Sequence, residues 1–164
     1  MKKPQIKYCI KCTYPSSSAV PLEFNSKGIC SGCNTNDEKN KINWERRKLL
    51  FENLIEDYRS KNNYYDCIIP VSGGKDSYWQ VLTALKLGLK PLAVTWKPSG
   101  RNTLGTENLN NLINLGIDHI DYVISPKIEA SMMLKALKKF GSIGIPMHLS
   151  IFNITYKIAH SFNI

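Results

Sequence analysis

Four cysteines near the amino end have the clearest chemistry in this sequence. They form two Cys-x-x-Cys pairs separated by 17 residues, and they are Cys9, Cys12, Cys30 and Cys33. Two residues between paired cysteines let both thiolates reach one tetrahedral ion, so the spacing predicts a structural zinc site with four sulfur ligands. An iron–sulfur cluster and disulfides are the alternatives. A total of five cysteines in a chain without a signal peptide argues against disulfides.

A second motif with chemical meaning is the hexapeptide SGGKDS, which lies between an apolar run and a predicted helix. Glycines let the backbone approach an anion closely, and amides at a helix start point towards it. The motif matches neither the Walker A nor the GxGxxG spacing. It predicts a phosphate-binding loop made of Ser72, Gly73, Gly74, Lys75, Asp76 and Ser77.

Two charged residues of this loop, Lys75 and Asp76, are predicted to be catalytic. A carboxylate is a poor direct ligand for phosphate, so we expect Asp76 to hold a Mg²⁺ ion that bridges phosphate oxygens. Lys75 is expected to neutralise phosphate charge.

Hydrophobic patterning defines the elements that must position these motifs. Residues 44–58 read as an amphipathic helix capped by Asn43. Strands then alternate with helices, at 67–71, 76–87, 91–96, 106–115, 119–125 and 126–140, with Thr106 and Ser125 opening the last two helices. This alternation predicts an α/β fold with a parallel sheet and right-handed crossovers. Residues 148–162 are ambiguous, and a buried helix is favoured over a strand.

The loop after a first strand resembles the PP-loop ATP pyrophosphatase superfamily, whose members cleave ATP between the α and β phosphates and adenylate a carbonyl-type oxygen. Nearly the whole chain is also similar to the N-acetyl sugar amidotransferase family of surface polysaccharide and lipopolysaccharide biosynthesis. The matching segments are CIKCTYPSSS, GICSGC, YDCIIPVSGGKDSYWQ, PLAVTWKP, NLNNLINLGIDHIDYVISPK and KKFGSIGIPMH.

The resemblance implies a PP-loop parallel sheet with helices on both faces, preceded by a small four-cysteine zinc module. The expected domains are a zinc-binding module at 1–40, a connecting helix at 41–63, and the N-terminal part of a PP-loop ATP-binding domain at 64–164. Doubly wound sheets usually have five or more strands. Only three strands are convincing here, so we expect a truncated chain.

The resemblance further implies ATP, Mg²⁺ and Zn²⁺ as cofactors. ATP would place its β and γ phosphates in the loop and its adenine and ribose near Val71 and Thr95. The acetamido oxygen of a nucleotide-activated sugar would attack the α phosphorus, and ammonia would then displace AMP to give an acetamidino sugar. Because no glutaminase motif is present, ammonia would come from glutaminase and cyclase-like subunits.

Several other residues have both an ordinary and a functional interpretation. Cys67 is predicted to be a core cysteine, and the histidines His119, His148 and His160 are predicted to have ordinary hydrogen-bonded roles. Trp79 and Trp96 are predicted to pack in the core, and stacking on adenine is the alternative. Lys97 and Arg101 either meet a substrate diphosphate or lie in a solvated loop.

Composition narrows the class of protein further. The 164 residues carry 22 basic and 13 acidic side chains, a net charge of +9 that favours polyanionic partners. No apolar run is long enough to span a membrane, and we expect a cytoplasmic protein.

The rival hypotheses are a PP-loop tRNA sulfurtransferase and a non-catalytic module that binds ATP or zinc. No cysteine follows Cys67 to carry sulfur, which makes a nucleic-acid substrate the weaker hypothesis.

Overall fold

The computed structural model describes residues 5–17, 22–59 and 64–164. The chain divides into two compact units, one ending at Leu54 and the other beginning at Ile55. No helix in the described ranges is both long enough and apolar enough to cross a bilayer. The domain boundaries predicted at residues 40 and 63 stay predictions. The polar stretch SKNN at 60–63, which predicts the end of the helix at 44–58, lies outside the described residues.

The first unit consists mainly of turns, one short helix and most of a second helix, whose last residues belong to the second unit. Isolated antiparallel bridges join Tyr8 to Pro15 and Phe24 to Cys30. Helix α1 spans Ser31–Lys39 and helix α2 spans Trp44–Tyr58. The predicted cap of α2 is confirmed, because the Asn43 side-chain oxygen accepts a hydrogen bond from the Arg46 N–H at 2.9 Å. Helix α1 was not predicted, since its polar sequence has no apolar period.

The second unit is an α/β sandwich, which confirms the predicted fold class. The elements follow the order β1 (Cys67–Pro70), α3 (Lys75–Lys86), β2 (Pro91–Trp96), α4 (Thr103–Ile113), β3 (Asp118–Tyr122), α5 (Pro126–Phe140) and α6 (Gly144–Phe162). The described strands form a parallel sheet in the order β1-β2-β3. The ambiguous segment is therefore helical, as predicted, and begins four residues earlier, at Gly144.

Helices cover both faces of the sheet, because the side chains of β2 point alternately to one face and the other and are apolar on both. Strand β2 is buried along its whole length. Ala93 faces a core formed with Val81 of α3 and with Leu109 and Leu112 of α4. Its neighbours Leu92, Val94 and Trp96 face the opposite core, which contains Ile154 and Ile158 of α6. A central parallel strand is apolar on both faces for this reason.

Two further predicted element ends are each wrong by three residues. Thr106 does not cap α4; Asn102 does, and its side-chain oxygen accepts a hydrogen bond from the Gly105 N–H at 2.8 Å. Thr106 lies one turn inside the helix, where its hydroxyl donates to the Asn102 carbonyl at 3.1 Å. Asparagine is at least as good an N-cap as threonine, so the helix can begin after Asn102 instead of after Thr106. Strand β3 ends at Tyr122 instead of residue 125 because its pairing with β2 stops at Trp96.

Candidate functional site

The four cysteines of the Cys-x-x-Cys pairs converge in the first unit. Their sulfurs all lie within 4.8 Å of one another, with 3.9 Å between Cys9 and Cys33 and 3.7 Å between Cys12 and Cys30. Four sulfurs about 2.3 Å from a tetrahedral zinc ion lie about 3.8 Å apart. The cluster therefore fits a single zinc ion, whereas a multi-iron cluster would hold the sulfurs further apart. All five cysteines are free thiols.

Local backbone geometry builds this cluster. Cys30 is the N-cap of α1, and its sulfur accepts the Cys33 N–H at 3.5 Å. The Cys9 sulfur accepts the N–H groups of Cys30 at 3.3 Å and Lys11 at 3.4 Å. The Cys30 N–H is the main cause of a Cys9 pKa lowered to about 6. Hydrogen bonding with the Cys12 side chain raises the pKa of Cys33 to about 12. One sulfur is thus held as a ready thiolate ligand, and a bound cation would deprotonate the others.

The phosphate loop of the second unit joins β1 to α3, and Gly73 fixes its shape. Gly73 has a φ of +79°, a conformation that favours glycine. A Cβ atom at Gly73 would lie 2.7 Å from the backbone nitrogen of Leu109 and 3.0 Å from the carbonyl carbon of Asn108. The backbone of α4 thus packs directly against the loop, and a side chain at position 73 would push the two apart.

The serines of the loop stabilise it from within. The buried Ser77 hydroxyl donates to the Gly74 carbonyl at 3.0 Å and accepts the Ser72 N–H at 3.4 Å. The Ser72 hydroxyl, which is exposed, accepts the Gly74 N–H at 3.4 Å. Ser72 therefore keeps its hydroxyl hydrogen for a ligand. Ser77, which is also predicted to belong to the phosphate-binding loop, uses its hydrogen to shape the turn.

The charged end of the loop faces solvent. Lys75 and Asp76 are paired at 2.9 Å, and their side chains are 91% and 85% exposed. The N-cap of α3 is Gly74, and in the described chain no side chain caps that helix end. The first N–H groups of a helix have no partner within the helix and attract anions. The loop therefore combines free amide donors, a cation and an accessible carboxylate that could hold a metal.

A cleft of about 650 Å³ opens beside the loop at the carboxyl ends of β1 and β2, where parallel sheets bind ligands. Val71, Ser72 and Thr95 all line it. The structure therefore brings the two residues predicted near adenine and ribose to the same cavity as the first residue of the loop. Apolar side chains of α6, including Met147 and Ile151, form part of its wall.

A polar chain behind the cleft was not predicted from the sequence. The Thr95 hydroxyl donates to the Val71 carbonyl at 2.9 Å and contacts His119 Nε2 at 2.8 Å. A hydroxyl has one hydrogen, and it is used on Val71, so His119 Nε2–H is the donor to Thr95. Burial, assisted by the Arg101 charge, lowers the pKa of His119, while Asp121 opposes the change. The neutral imidazole thus holds Thr95 against the loop.

Arg101 lines the cleft but is already paired. Its guanidinium makes two hydrogen bonds of 2.7 Å to Asp121, and Lys97 Nζ lies 3.9 Å from the same carboxylate. Burial raises the pKa of Asp121, but the hydrogen bonds and charge of Arg101 outweigh it and hold that pKa below its usual value. His119 and Asp121 lie two residues apart in β3, so they share one face of the strand. That polar alternation is the sequence feature that could have identified the pair.

The remaining candidates divide between core and surface. Trp96 is 7% exposed and belongs to the α6 core, as predicted, whereas Trp79 is 67% exposed, so its predicted core role is wrong. Cys67 is half-buried rather than buried because β1 is an edge of the described sheet, and burial raises its pKa to about 11. His148 is exposed and hydrogen-bonds the Gly144 carbonyl at 2.8 Å, and His160 is an exposed residue in the last turn of α6.

Comparison with known proteins supports the fold. No family model matches the chain. An uncharacterised protein of Methanocaldococcus jannaschii is 26% identical over 133 residues, which cover 80% of this chain and 47% of that protein. The chain therefore spans about half the length of this curated relative. NMN synthetase from Francisella tularensis has a TM-score of 0.54 at 22% identity, covering 73% of this chain and 51% of that one.

The structural likeness defines the class of fold. The chain has an α/β fold like that of NMN synthetase, with a four-cysteine cluster that could bind zinc. The PP-loop superfamily and the narrower family that the sequence resembles stay predictions.

Proposed function

We propose that this chain is the nucleotide-binding part of an enzyme that uses ATP to adenylate a substrate oxygen, with release of pyrophosphate. The observation that supports this most directly is the glycine loop at the carboxyl end of β1. It presents uncapped amides of α3, a cation and a carboxylate beside a cleft of about 650 Å³. Phosphoryl and adenylyl transfers depend mainly on positioning and charge stabilisation, and this loop provides both.

Each loop residue has a role in this proposal. The amides at the start of α3 and Lys75 hold the β and γ phosphates, and Ser72 donates its free hydroxyl hydrogen. Asp76 would hold Mg²⁺, which supplies charge neutralisation between phosphate oxygens. Displacing Lys75 from Asp76 costs little, because an exposed ion pair contributes about 1 kcal/mol or less.

For the acceptor we propose an acetamido group on a nucleotide-activated sugar, on the basis of the similarity of the sequence to N-acetyl sugar amidotransferases. The acetamido oxygen attacks the α phosphorus and pyrophosphate leaves. Ammonia then adds to the activated carbon, AMP leaves, and an acetamidino sugar remains. An amide carbon is a weak electrophile, so activation of its oxygen must precede amination. In this proposal the reaction belongs to lipopolysaccharide or surface polysaccharide synthesis, and glutaminase and cyclase-like subunits supply the ammonia.

The Asp76 carboxylate provides the test. Asp76→Asn removes the negative charge of the proposed metal ligand and keeps the size of the side chain, and we expect pyrophosphate release from MgATP to fall at least about 100-fold. Asp57→Asn, on the exposed end of α2, is the matched control and should release pyrophosphate at the wild-type rate. The assay contains ammonium and UDP-N-acetylglucosamine. Equal release by Asp76→Asn and wild type would remove the role assigned to Asp76.

The same assay separates the rival functions. The net charge of +9 favours a tRNA sulfurtransferase, which would release pyrophosphate with tRNA and a sulfur donor instead of an acetamido sugar. A non-catalytic module would bind MgATP without releasing pyrophosphate under any of these conditions.

A further inference from the structure

A second cavity, of about 660 Å³, lies between α3 and α4 and shares none of its lining residues with the cleft beside β1 and β2. It borders the phosphate loop at Gly73, Gly74 and Lys75. We name it the amide ledge. The rest of its wall consists of Tyr78, Trp79 and Leu82 of α3 and Asn108, Asn111 and Asn114 at the other side.

The asparagines form a row along one face. Asn108, Asn111 and Asn114 follow one another at three-residue steps, so their side chains lie above one another along α4 and its C-cap. All three are exposed, whereas Leu109 and Leu112 of the same helix are buried. Each amide offers two donors and an acceptor with no charge. Such a row matches a ligand with several neighbouring hydroxyl or amide groups.

An exposed indole faces the same cavity. Trp79 is 67% exposed although it is among the largest apolar side chains in the chain. Indole and phenol rings combine an apolar face with a polar edge, so they pack on the C–H face of a sugar ring while neighbouring amides bind its hydroxyls. Tyr78, which is half-buried, adds a second ring of this kind.

Charge decides against a polyanion on the ledge. Lys75, at the loop end, is the one basic side chain among its described lining residues. A nucleic-acid strand would need several cations to neutralise its phosphates. Adenine could stack on Trp79, but the cleft with Val71 and the apolar wall of α6 already provides a site for a flat base. A neutral polyhydroxyl ligand fits the ledge better than either.

We propose that the amide ledge binds the pyranose ring of the acceptor sugar next to the phosphate loop. The proposal rests on the proposed function, because it places that reaction's acceptor. Close packing of α4 against Gly73 fixes the start of the asparagine row beside the loop, since the Asn108 carbonyl carbon would lie 3.0 Å from a Cβ at position 73. A sugar on the row would therefore lie beside the loop that is proposed to hold the phosphates of ATP.

The test uses N-acetylglucosamine itself, which carries no phosphate and so cannot bind through the loop. Saturation-transfer NMR on the full chain, with MgATP present, measures its binding. We expect Asn111→Ala and Trp79→Ala each to weaken binding about tenfold, as the loss of one hydrogen bond or one ring contact predicts. The matched controls are Asn110→Ala, an exposed asparagine of α4 outside the cavity, and Trp44→Ala, an exposed tryptophan of the first unit. Both should bind the sugar as wild type does.

Two readouts separate this proposal from the proposed function. MgATP affinity, measured on the same proteins, should be unchanged in Asn111→Ala and Trp79→Ala. Wild-type protein that binds MgATP but not the sugar, or ledge variants that bind the sugar normally, would overturn the ledge and leave the ATP chemistry intact. A loss of MgATP affinity in Trp79→Ala without loss of sugar affinity would assign the ring to adenine and also overturn it. Sugar binding without MgATP binding in wild type would contradict the proposed function instead.

Discussion

The four cysteine sulfurs lie as close together as a single tetrahedral ion would hold them. Backbone N–H groups from Cys30 and Lys11 already point at the Cys9 sulfur, which favours its thiolate form. Without a metal, four polar sulfurs lie close together. A bound metal ion would stabilise this arrangement through four coordinate bonds. Because structural zinc contributes on the order of 10 kcal/mol in small domains, the folding of the first unit is expected to depend on it.

Removing one sulfur tests this dependence. Cys30→Ala should abolish zinc binding and make the segment at 1–40 sensitive to proteolysis, because three ligands cannot close the site. Cys67→Ala, outside the cluster, should keep about one zinc per chain. Metal analysis of the purified proteins and limited proteolysis with and without a chelator measure both effects. Equal zinc content in the two variants would contradict the assignment.

Residue chemistry could be predicted where neighbouring residues define it. The cysteine pairs and the glycine loop have fixed short spacings. The four sulfurs converge, and the hexapeptide joins a strand to a helix, as predicted. The partners of Thr95 and Arg101 are 24 and 20 residues away, on a different strand. Their pairing depends on strand register, which no local pattern in the sequence specifies. Arg101 therefore looked like a free cation, although Asp121 binds its guanidinium.

At the scale of elements, hydrogen bonds connect the phosphate loop to two strands. His119 of β3 donates to Thr95 of β2, and Thr95 donates to Val71 at the start of the loop. A charged imidazole is disfavoured in this position, chiefly by burial and then by Arg101. Hydrogen bonds from two neighbouring strands thereby hold the start of the loop in place.

The lowered pKa of His119 makes stability depend on pH. The unfolded chain binds this proton more readily than the folded one, so stability is complete above the usual histidine pKa of about 6.5 and is lost as pH falls below it. Asp121, whose pKa lies below its ordinary value of 3.8, keeps its full contribution to stability above that value and loses it only as pH falls further. The free energy of unfolding of the wild type, measured with a denaturant, should therefore be lower at pH 5.5 than at pH 7.5. His119→Gln should show a smaller decrease.

The control for this experiment is His160→Gln, at an exposed position of α6, which should retain the wild-type pH dependence. At pH 7.5, the free energy of unfolding of His119→Gln should also be about 1 kcal/mol lower than that of wild type, because the hydrogen bond to Thr95 is strained or missing. A pH dependence in His119→Gln as large as in wild type would show that another group causes it.

Element types were predicted more accurately than their ends. Apolar periodicity identified the strands and helices of the second unit as far as α5, because burial on the sheet imposes it. The segment of α6 was ambiguous, since its apolar residues also alternate as in a strand. The start of α4 depended on a choice between two polar caps, and Asn102 was used. The exposure of Trp79 could not be predicted from the spacing of apolar residues in α3, since an apolar residue on a helix usually marks the buried face of that helix.

For the whole molecule, the two units divide the chemistry between them. The first contains the four-cysteine cluster. The second contains the glycine loop, whose residues line two separate cavities. The fold type is shared with a much longer NMN synthetase, of which this chain covers 51%. Fold alone does not determine function, so the proposed chemistry depends on the loop.

Calorimetric titration of MgATP into the full chain tests the central claim most directly. We expect saturable binding heat for wild type and for Gly116→Ala, whose glycine also has a positive φ but has open space around it. Gly73→Ala should lose at least about tenfold in affinity, because its Cβ would collide with the α4 backbone and open the loop. A folded wild-type protein that gives no binding heat with MgATP, or a Gly73→Ala variant that binds as wild type does, would contradict the account.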